Sequence, residues 1–107
     1  MKIFNKLVRD KIPEIISHSG KIPNFEVIKN DKDYLDCLEK KLLEECNEVI
    51  NANLDDKIEE LSDVLEVIYS ISKFLGVSSN DLEKIRIKKK EKRGGFKSRF
   101  FLKSVDE

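Results

Sequence analysis

Two long helical patterns separated by a short break constrain what this chain can fold into. Apolar residues recur every three to four positions from about residue 31 to residue 53, and again from about residue 55 to residue 75. The break around Leu54 is short, and short breaks place two helices side by side and antiparallel. The sequence therefore predicts an all-α fold organised around a central helical hairpin.

Acidic residues interrupt the apolar faces of both helices. The predicted core stripes are Leu35, Leu38, Leu42, Cys46 and Val49 in the first helix, and Leu61, Val64, Leu65, Ile68, Ile71 and Leu75 in the second. Glu45 lies at the edge of the first stripe. Glu60 and Asp63 point to the same side of the second helix as Val67. Because unpaired acids are rarely buried, packing alone does not explain these positions.

The expected register of the hairpin brings these acids together. If the turn centres near Leu54, Glu48 comes level with Glu60 and Glu45 with Asp63, so four carboxylates share one patch. Like charges at such distances repel, so the patch needs either bound protons or a cation. Oxygen ligands without His or Cys favour Mg²⁺, or Mn²⁺, over Zn²⁺. The simpler alternative is that these acids only solvate a charge-rich hairpin.

Composition fits a single domain of residues 1–107 and argues against several classes of protein. The 21 basic and 21 acidic residues balance, so no overall field favours nucleic acid or a membrane surface. No apolar run could span a membrane, and the N-terminus lacks an apolar signal segment. Cys37 and Cys46 lie about 13 Å apart along one helix, which predicts free thiols and a cytoplasmic location. A chain this short buries a modest core, so we expect a homodimer or a higher homo-oligomer.

The flanks of the hairpin are predicted to hold two further helices. Asp10 as an N-cap, with Pro13 in the first turn, predicts a short helix that Gly20 ends. The capping residues Ser78–Asp81 predict a last helix that continues to about Lys92.

Two segments are predicted to be extended rather than helical. Phe25–Ile28 alternates apolar and polar residues, and Phe96–Lys103 combines alternation with an apolar pair. These two segments could pair as a short β ribbon beside the helices.

Basic residues of possible functional use lie near both ends of the chain. On composition alone, Lys6 and Arg9 are a solvated start to the first helix. Lys92 and Arg93 lead into two glycines, which would let the backbone approach a phosphate closely. The alternative is a solvated helix end whose cations suit the helix dipole. Nonspecific nucleic-acid contact is a third interpretation, which the lack of interleaved aromatic residues disfavours.

Three blocks of the sequence together resemble a known family. The pair of motifs Glu44-Glu45-x-x-Glu48 and Glu60-x-x-Asp63 is similar to the metal-binding signature of the all-α nucleoside triphosphate pyrophosphohydrolases, the MazG-like superfamily. Residues 5–16 resemble the N-terminal signature of a small branch of that superfamily, predicted to be house-cleaning phosphohydrolases. Residues 92–96 resemble the C-terminal signature of the same branch.

The resemblance implies a MazG-like helical bundle that cleaves a nucleoside triphosphate between its α and β phosphates, giving the monophosphate and pyrophosphate. The implied substrates include noncanonical nucleotides. The expected metal ligands are Glu45, Glu48, Glu60 and Asp63, the expected general base is Glu44 or Glu45, and the expected cations on the substrate phosphates are Lys6, Arg9, Lys92 and Arg93.

Two alternatives remain open from the sequence. The hairpin could belong to a non-catalytic module that binds a nucleotide or dimerises without turnover, although such a module has no need for acids on its apolar face. The chain could instead be a phosphoribosyl-ATP pyrophosphohydrolase, against which the N-terminal block argues by resemblance.

Overall fold

A computed structural model describes residues 1–106, which form four α-helices and no β-strand. The helices are α1 (Ile12–His18), α2 (Asp31–Asn51), α3 (Lys57–Phe74) and α4 (Ser79–Arg93). A 3₁₀ turn, Leu54–Asp56, joins α2 to α3. The predicted all-α fold is confirmed, and α2 and α3 form its central pair.

Side-chain hydrogen bonds mark where two of the helices begin. The side-chain oxygen of Asn30 accepts a hydrogen bond from the backbone N–H of Asp33 at 3.1 Å, which caps α2. The hydroxyl of Ser78 accepts a hydrogen bond from the N–H of Asp81 at 3.1 Å, which caps α4 within the predicted cluster. Both caps satisfy backbone donors that have no partner inside the helix.

The N-terminus of α1 differs from the prediction by one residue. Lys11, not Asp10, occupies the N-cap position, and it makes no side-chain capping bond. The N–H of Ile12 donates to the carbonyl of Arg9 at 3.0 Å, so a turn already precedes the helix. Pro13 lies in the first turn as expected, where its missing N–H removes no helical hydrogen bond.

The turn between α2 and α3 is held by a lysine from the start of α3. The ammonium of Lys57 donates to the carbonyls of Val49 and Ile50 at 2.6 and 3.1 Å. These carbonyls lie in the last turn of α2, where the helix dipole favours a cation. The bond therefore ties the two helices together at the closed end of the hairpin.

Gly76 ends α3 in a backbone conformation that favours glycine. Its φ is +85°, and the N–H of Val77 donates to the carbonyl of Ser72 at 2.9 Å. The N–H of Gly76 itself donates to the carbonyl of Lys73 at 3.0 Å. This pair of bonds is a Schellman motif, and it turns the chain away from the hairpin before α4 begins.

The apolar core lies between α2 and α3. Leu38 and Val67 are the buried apolar side chains among residues 1–106, with 3% and 7% of their surface exposed. Tyr34 and Phe74 meet edge to face near the open end of the hairpin, with ring centroids 5.6 Å apart. The stripe predicted for α2 is buried or half-buried along its whole length.

The core stripe predicted for α3 is partly wrong. Leu61, Leu65 and Leu75, expected in the core, are 48%, 43% and 64% exposed. Helix α3 is apolar on more than one side, and the side that packs on α2 is centred on Val67 instead. Helical periodicity shows that α3 has more than one apolar side, but only the position of α2 determines which of them is buried.

The expected β ribbon does not form within residues 1–106. Neither Phe25–Ile28 nor Phe96–Lys103 is paired as a strand. The side chains of Phe25, Phe96 and Phe100 are 66%, 98% and 93% exposed, so neither segment has an apolar face covered by the helices. A two-stranded ribbon without a packed face is marginal in water, which explains why the short alternation is not sufficient.

Candidate metal centre

Three carboxylates from the two central helices converge on one point. Glu45 of α2 and Glu60 and Asp63 of α3 each offer an oxygen, and these oxygens lie within 4.8 Å of one another. All three side chains are half-buried. The hairpin register predicted Glu45 level with Asp63, and these two carboxylates do lie together. We refer to Glu45, Glu60 and Asp63 as the acidic cluster.

Glu48, the fourth expected ligand, lies beside this cluster rather than in it. Its side chain is exposed, and its carboxylate is not among the oxygens that lie within 4.8 Å of one another. At about 100° per residue, Glu48 points about 60° further from α3 than Glu45 does. Its negative charge still contributes to raising the pKa of Glu60.

The charge of the acidic cluster is least compensated at Glu60. Loss of hydration raises the pKa of Glu60, and the negative charges of Asp63, Glu48, Glu45 and Glu59 raise it further. Among residues 1–106, no Lys or Arg forms an ion pair with Glu60. A cation bound at the cluster would remove this repulsion.

A lysine that sequence reasoning did not single out lies between the acids of α2. The ammonium of Lys41 is 3.3 Å from the carboxylate of Glu45 and 3.5 Å from that of Glu44. Its side chain is only 15% exposed. The spacing of four between Lys41 and Glu45 was the available signal, because residues four apart are neighbours on a helix.

Glu44 lies at the edge of the cluster and is held by two lysines. Lys6 donates to its carboxylate at 3.1 Å, and Lys41 approaches it from its own helix. Partial burial raises the pKa of Glu44, but the bond from Lys6 and the charges of Lys41 and Lys6 outweigh it, so the pKa is lowered overall. In this arrangement Glu44 is a weak proton acceptor.

The segment before α1 crosses the hairpin on the side of the acidic cluster. The guanidinium of Arg9 donates to the carboxylate of Asp63 at 2.6 Å. Leu7 and Arg9 line a groove of ≈ 760 Å³ together with Glu45, Asp63 and Phe74. Lys6 and Arg9 were expected near the substrate phosphates, and in this structure they contact Glu44 and Asp63.

Lys92 and Arg93 are not brought to the acidic cluster. Both lie exposed at the C-terminal end of α4, and neither lines the groove. Helix α4 contacts α3 but not α2, within the part of the chain that the structure describes. The expected substrate site is therefore only partly assembled within one chain.

The chemistry of the cluster fits a hard divalent cation. Adjacent ligands of octahedral Mg²⁺ lie about 3.0 Å apart and opposite ligands about 4.2 Å apart, so these oxygens, within 4.8 Å of one another, would have to move closer to bind one ion. The donors are carboxylate oxygens alone, which suit Mg²⁺ or Mn²⁺. In this structure Arg9 and Lys41 supply part of the compensating charge, so a metal ion would compete with Arg9 for Asp63.

Comparison of this chain with protein-family models, with curated proteins and with solved structures finds no match in any of the three. None of the helices in residues 1–106 has the length and apolar character needed to cross a membrane.

Proposed function

We propose that this protein is a Mg²⁺-dependent nucleoside triphosphate pyrophosphohydrolase that cleaves between the α and β phosphates. The observation that carries the proposal is the convergence of Glu45, Glu60 and Asp63 on the packed faces of two helices, where Glu60 has no cationic partner within residues 1–106. Carboxylates placed together in this way suit the ligands of a metal that binds a triphosphate.

The acidic cluster would hold the metal, and Glu48 would join from its edge. Bound Mg²⁺ would polarise phosphate oxygens and lower the pKa of water. Glu44 lies next to the cluster but outside it, which suits a proton acceptor better than a metal ligand. Its pKa is lowered mainly through Lys6 and Lys41 in this structure, so it becomes a stronger base when Lys6 moves to a phosphate.

The cations of the N-terminal segment would exchange partners during binding. Lys6 and Arg9 now neutralise Glu44 and Asp63, at 3.1 and 2.6 Å. With a metal and a triphosphate in the groove, Glu45, Glu60 and Asp63 would hold the metal, and Lys6 and Arg9 would pair with phosphate oxygens instead. Lys92 and Arg93 would complete the charge on the leaving pyrophosphate.

We further propose that the protein acts as a homodimer or higher homo-oligomer in the cytoplasm. The thiols of Cys37 and Cys46 are both free and half-buried, which suits a reducing compartment. Clearance of noncanonical nucleotides is the role we infer from the resemblance of the N-terminal block.

The test is pyrophosphate release from a panel of normal and modified nucleoside triphosphates, with Mg²⁺ and then with EDTA. We expect metal-dependent release of pyrophosphate and monophosphate, and loss of turnover in Glu60→Gln. The matched control is Glu59→Gln, which removes the same charge from the adjacent, exposed position of α3 and should keep activity. Release of single phosphate would contradict the assigned bond.

Two outcomes of the same experiment would favour the alternative functions. Binding of Mg²⁺ and nucleotide without turnover on any member of the panel would favour a non-catalytic binding or dimerisation module. Turnover of phosphoribosyl-ATP alone would favour an enzyme of histidine synthesis. Equal activity of Glu60→Gln and the unaltered protein would remove the acidic cluster from the mechanism.

A further inference from the structure

A single chain is much more open than a compact protein of its size. Its accessible surface is 10246 Å², whereas a compact protein of 12.5 kDa exposes about 6,200 Å². Its radius of gyration is 18.2 Å, against about 13 Å for a compact chain of this length. The excess surface exceeds the roughly 1,000–2,500 Å² per chain that an obligate dimer buries.

Part of this exposed surface is apolar and lies on one side of the hairpin. We call it the apolar side; its members are Leu43, Ile50, Ile58, Leu61 and Leu65, with exposures of 66%, 70%, 77%, 48% and 43%. At about 100° per residue, these side chains are rotated in the same sense from the contact faces of α2 and α3. When two helices are antiparallel, side chains rotated in the same sense from the two contact faces lie on the same side of the helix pair. Here that side is opposite the acidic cluster.

Charge is divided between the hairpin and the C-terminal part of the chain. Residues 31–74 contain 13 acidic and 5 basic residues, a net charge of −8. Residues 79–106 contain 10 basic and 4 acidic residues, a net charge of +6. Two copies can therefore neutralise each other if the C-terminal part of one lies along the hairpin of the other.

The C-terminal part has little support from its own chain. Helix α4 contacts α3 alone among the helices, and Leu82 is its only half-buried residue. Beyond it, Phe96, Phe100 and Phe101 are 98%, 93% and 86% exposed. Aromatic side chains of this size favour burial in an interface rather than contact with water.

We propose that the protein forms a two-fold homodimer in which Lys92 and Arg93 of each copy complete the phosphate site of the other. This inference rests on the proposed pyrophosphohydrolase function for the role of the site. The apolar sides of the two hairpins bury each other, and α4 with the segment after it crosses to the acidic cluster of the second copy. The active site is then incomplete in a single chain, as the placement of Lys92 and Arg93 indicates.

Sedimentation of the full chain tests the interface without reference to activity. We expect a dimer of about 25 kDa, from two chains of 12.5 kDa. The double variant Leu61→Asp with Leu65→Asp should be monomeric, because it places two charges on the apolar side. The matched control is Ile22→Asp, which alters an equally accessible apolar residue, 85% exposed, outside the interface. A monomeric unaltered protein, or a dimer that survives the double variant, overturns the proposal.

Zero-length carbodiimide cross-linking tests the contribution in trans. Copies labelled with ¹⁴N and with ¹⁵N are refolded together, and lysine–carboxylate cross-links between α4 and the hairpin are identified by mass. We expect mixed-isotope pairs that join Lys92 to acids of α2 or α3. Pairs of one isotope only would place α4 on its own hairpin and overturn the proposal, whatever the catalytic activity.

Mixing two inactive variants tests, through activity, whether each copy completes the site of the other. Glu60→Gln and the double variant Lys92→Ala with Arg93→Ala should each release little pyrophosphate alone. After joint refolding in equal amounts, one site in four has both intact halves, so about a quarter of the unaltered activity should return. No gain over the separate variants would place the halves in one chain. An inactive unaltered protein that still gives mixed-isotope cross-links would refute the proposed function but keep the dimer.

Discussion

The two sides of the α2–α3 hairpin are built from the same two helices, but they differ in the chemistry of their side chains and in how far those side chains are exposed to water. On one side the acidic cluster is half-buried and crossed by the N-terminal segment that carries Arg9. On the other, leucine and isoleucine side chains are open to water. A compact monomer would have the reverse, with acids in water and leucines covered. For this reason we propose two additions to the hairpin, a cation on one side and a second chain on the other.

Glu60→Gln is the change with the largest expected effect on the acidic side. It removes one charge from the cluster that we propose to hold the metal. A bound metal contributes several kcal/mol of transition-state stabilisation. We expect metal-dependent turnover to fall by at least about 100-fold with unchanged helix content, measured by pyrophosphate release and circular dichroism. A loss of less than tenfold would mean that the two sides differ in chemistry but not in function.

Leu38→Ala tests the core between the two sides. Leu38 is 3% exposed, so truncation should lower the free energy of unfolding by about 2–4 kcal/mol, measured in urea. The matched variant Leu61→Ala removes the same atoms from the apolar side. It should cost little in dilute protein and progressively more as the protein concentration rises, because its partner is a second chain. A loss independent of concentration would place Leu61 in the core of one chain.

Arg9→Ala sharpens the comparison on the acidic side alone. Arg9 now competes with any cation for Asp63, and half-exposed ion pairs contribute only modestly to stability. We therefore expect Mg²⁺ to bind about two- to fivefold more tightly in the variant, measured by calorimetry without nucleotide. The reverse is expected for substrate, because the guanidinium is lost from the phosphates. Arg86→Ala, whose ion-pair partner is Glu83 on α4, is the matched control and should leave Mg²⁺ affinity unchanged.

The pH dependence of stability without metal is the smallest expected effect. The pKa of Glu60 is raised, first by loss of hydration and then by the neighbouring carboxylates. A raised pKa in the folded state destabilises the fold above that pKa, and the penalty disappears as pH falls below the ordinary glutamate range. Thermal unfolding in EDTA should thus show Glu60→Gln more stable than the unaltered protein at pH 7 and equally stable near pH 4. Equal stability at both values would mean that the cluster carries no repulsion.

Local sequence signals predicted the helices and the register of the hairpin. The helical periodicity on both sides of Leu54 was sufficient to place Glu45 beside Asp63, because a short turn leaves one register for two antiparallel helices. The cap at Ser78 and the stop at Gly76 follow from local backbone chemistry, which depends on a few adjacent residues.

The sequence was less informative where residues with similar local patterns differ only in their tertiary surroundings. Glu48 and Glu45 carry the same group one turn apart, and only the direction of each side chain relative to α3 separates them. Lys41 reads as an ordinary surface lysine until its position between two acids is known. The extended segments near Phe25 and Phe96 alternate like strands, but their aromatic side chains are exposed in the described chain.

By itself, the sequence determined the four helices, the hairpin and the pairing of Glu45 with Asp63, because these depend on periodicity, caps and a short turn. The tertiary structure alone decided that α3 turns Val67 rather than Leu61 toward α2. It also decided that Arg9 meets Asp63 across 54 positions of sequence, and that Lys92 forms no ion pair with the acidic cluster within residues 1–106. The physical reason is that contacts between residues far apart in the sequence depend on which apolar face of each helix is buried. Helical periodicity does not distinguish one apolar face of a helix from another.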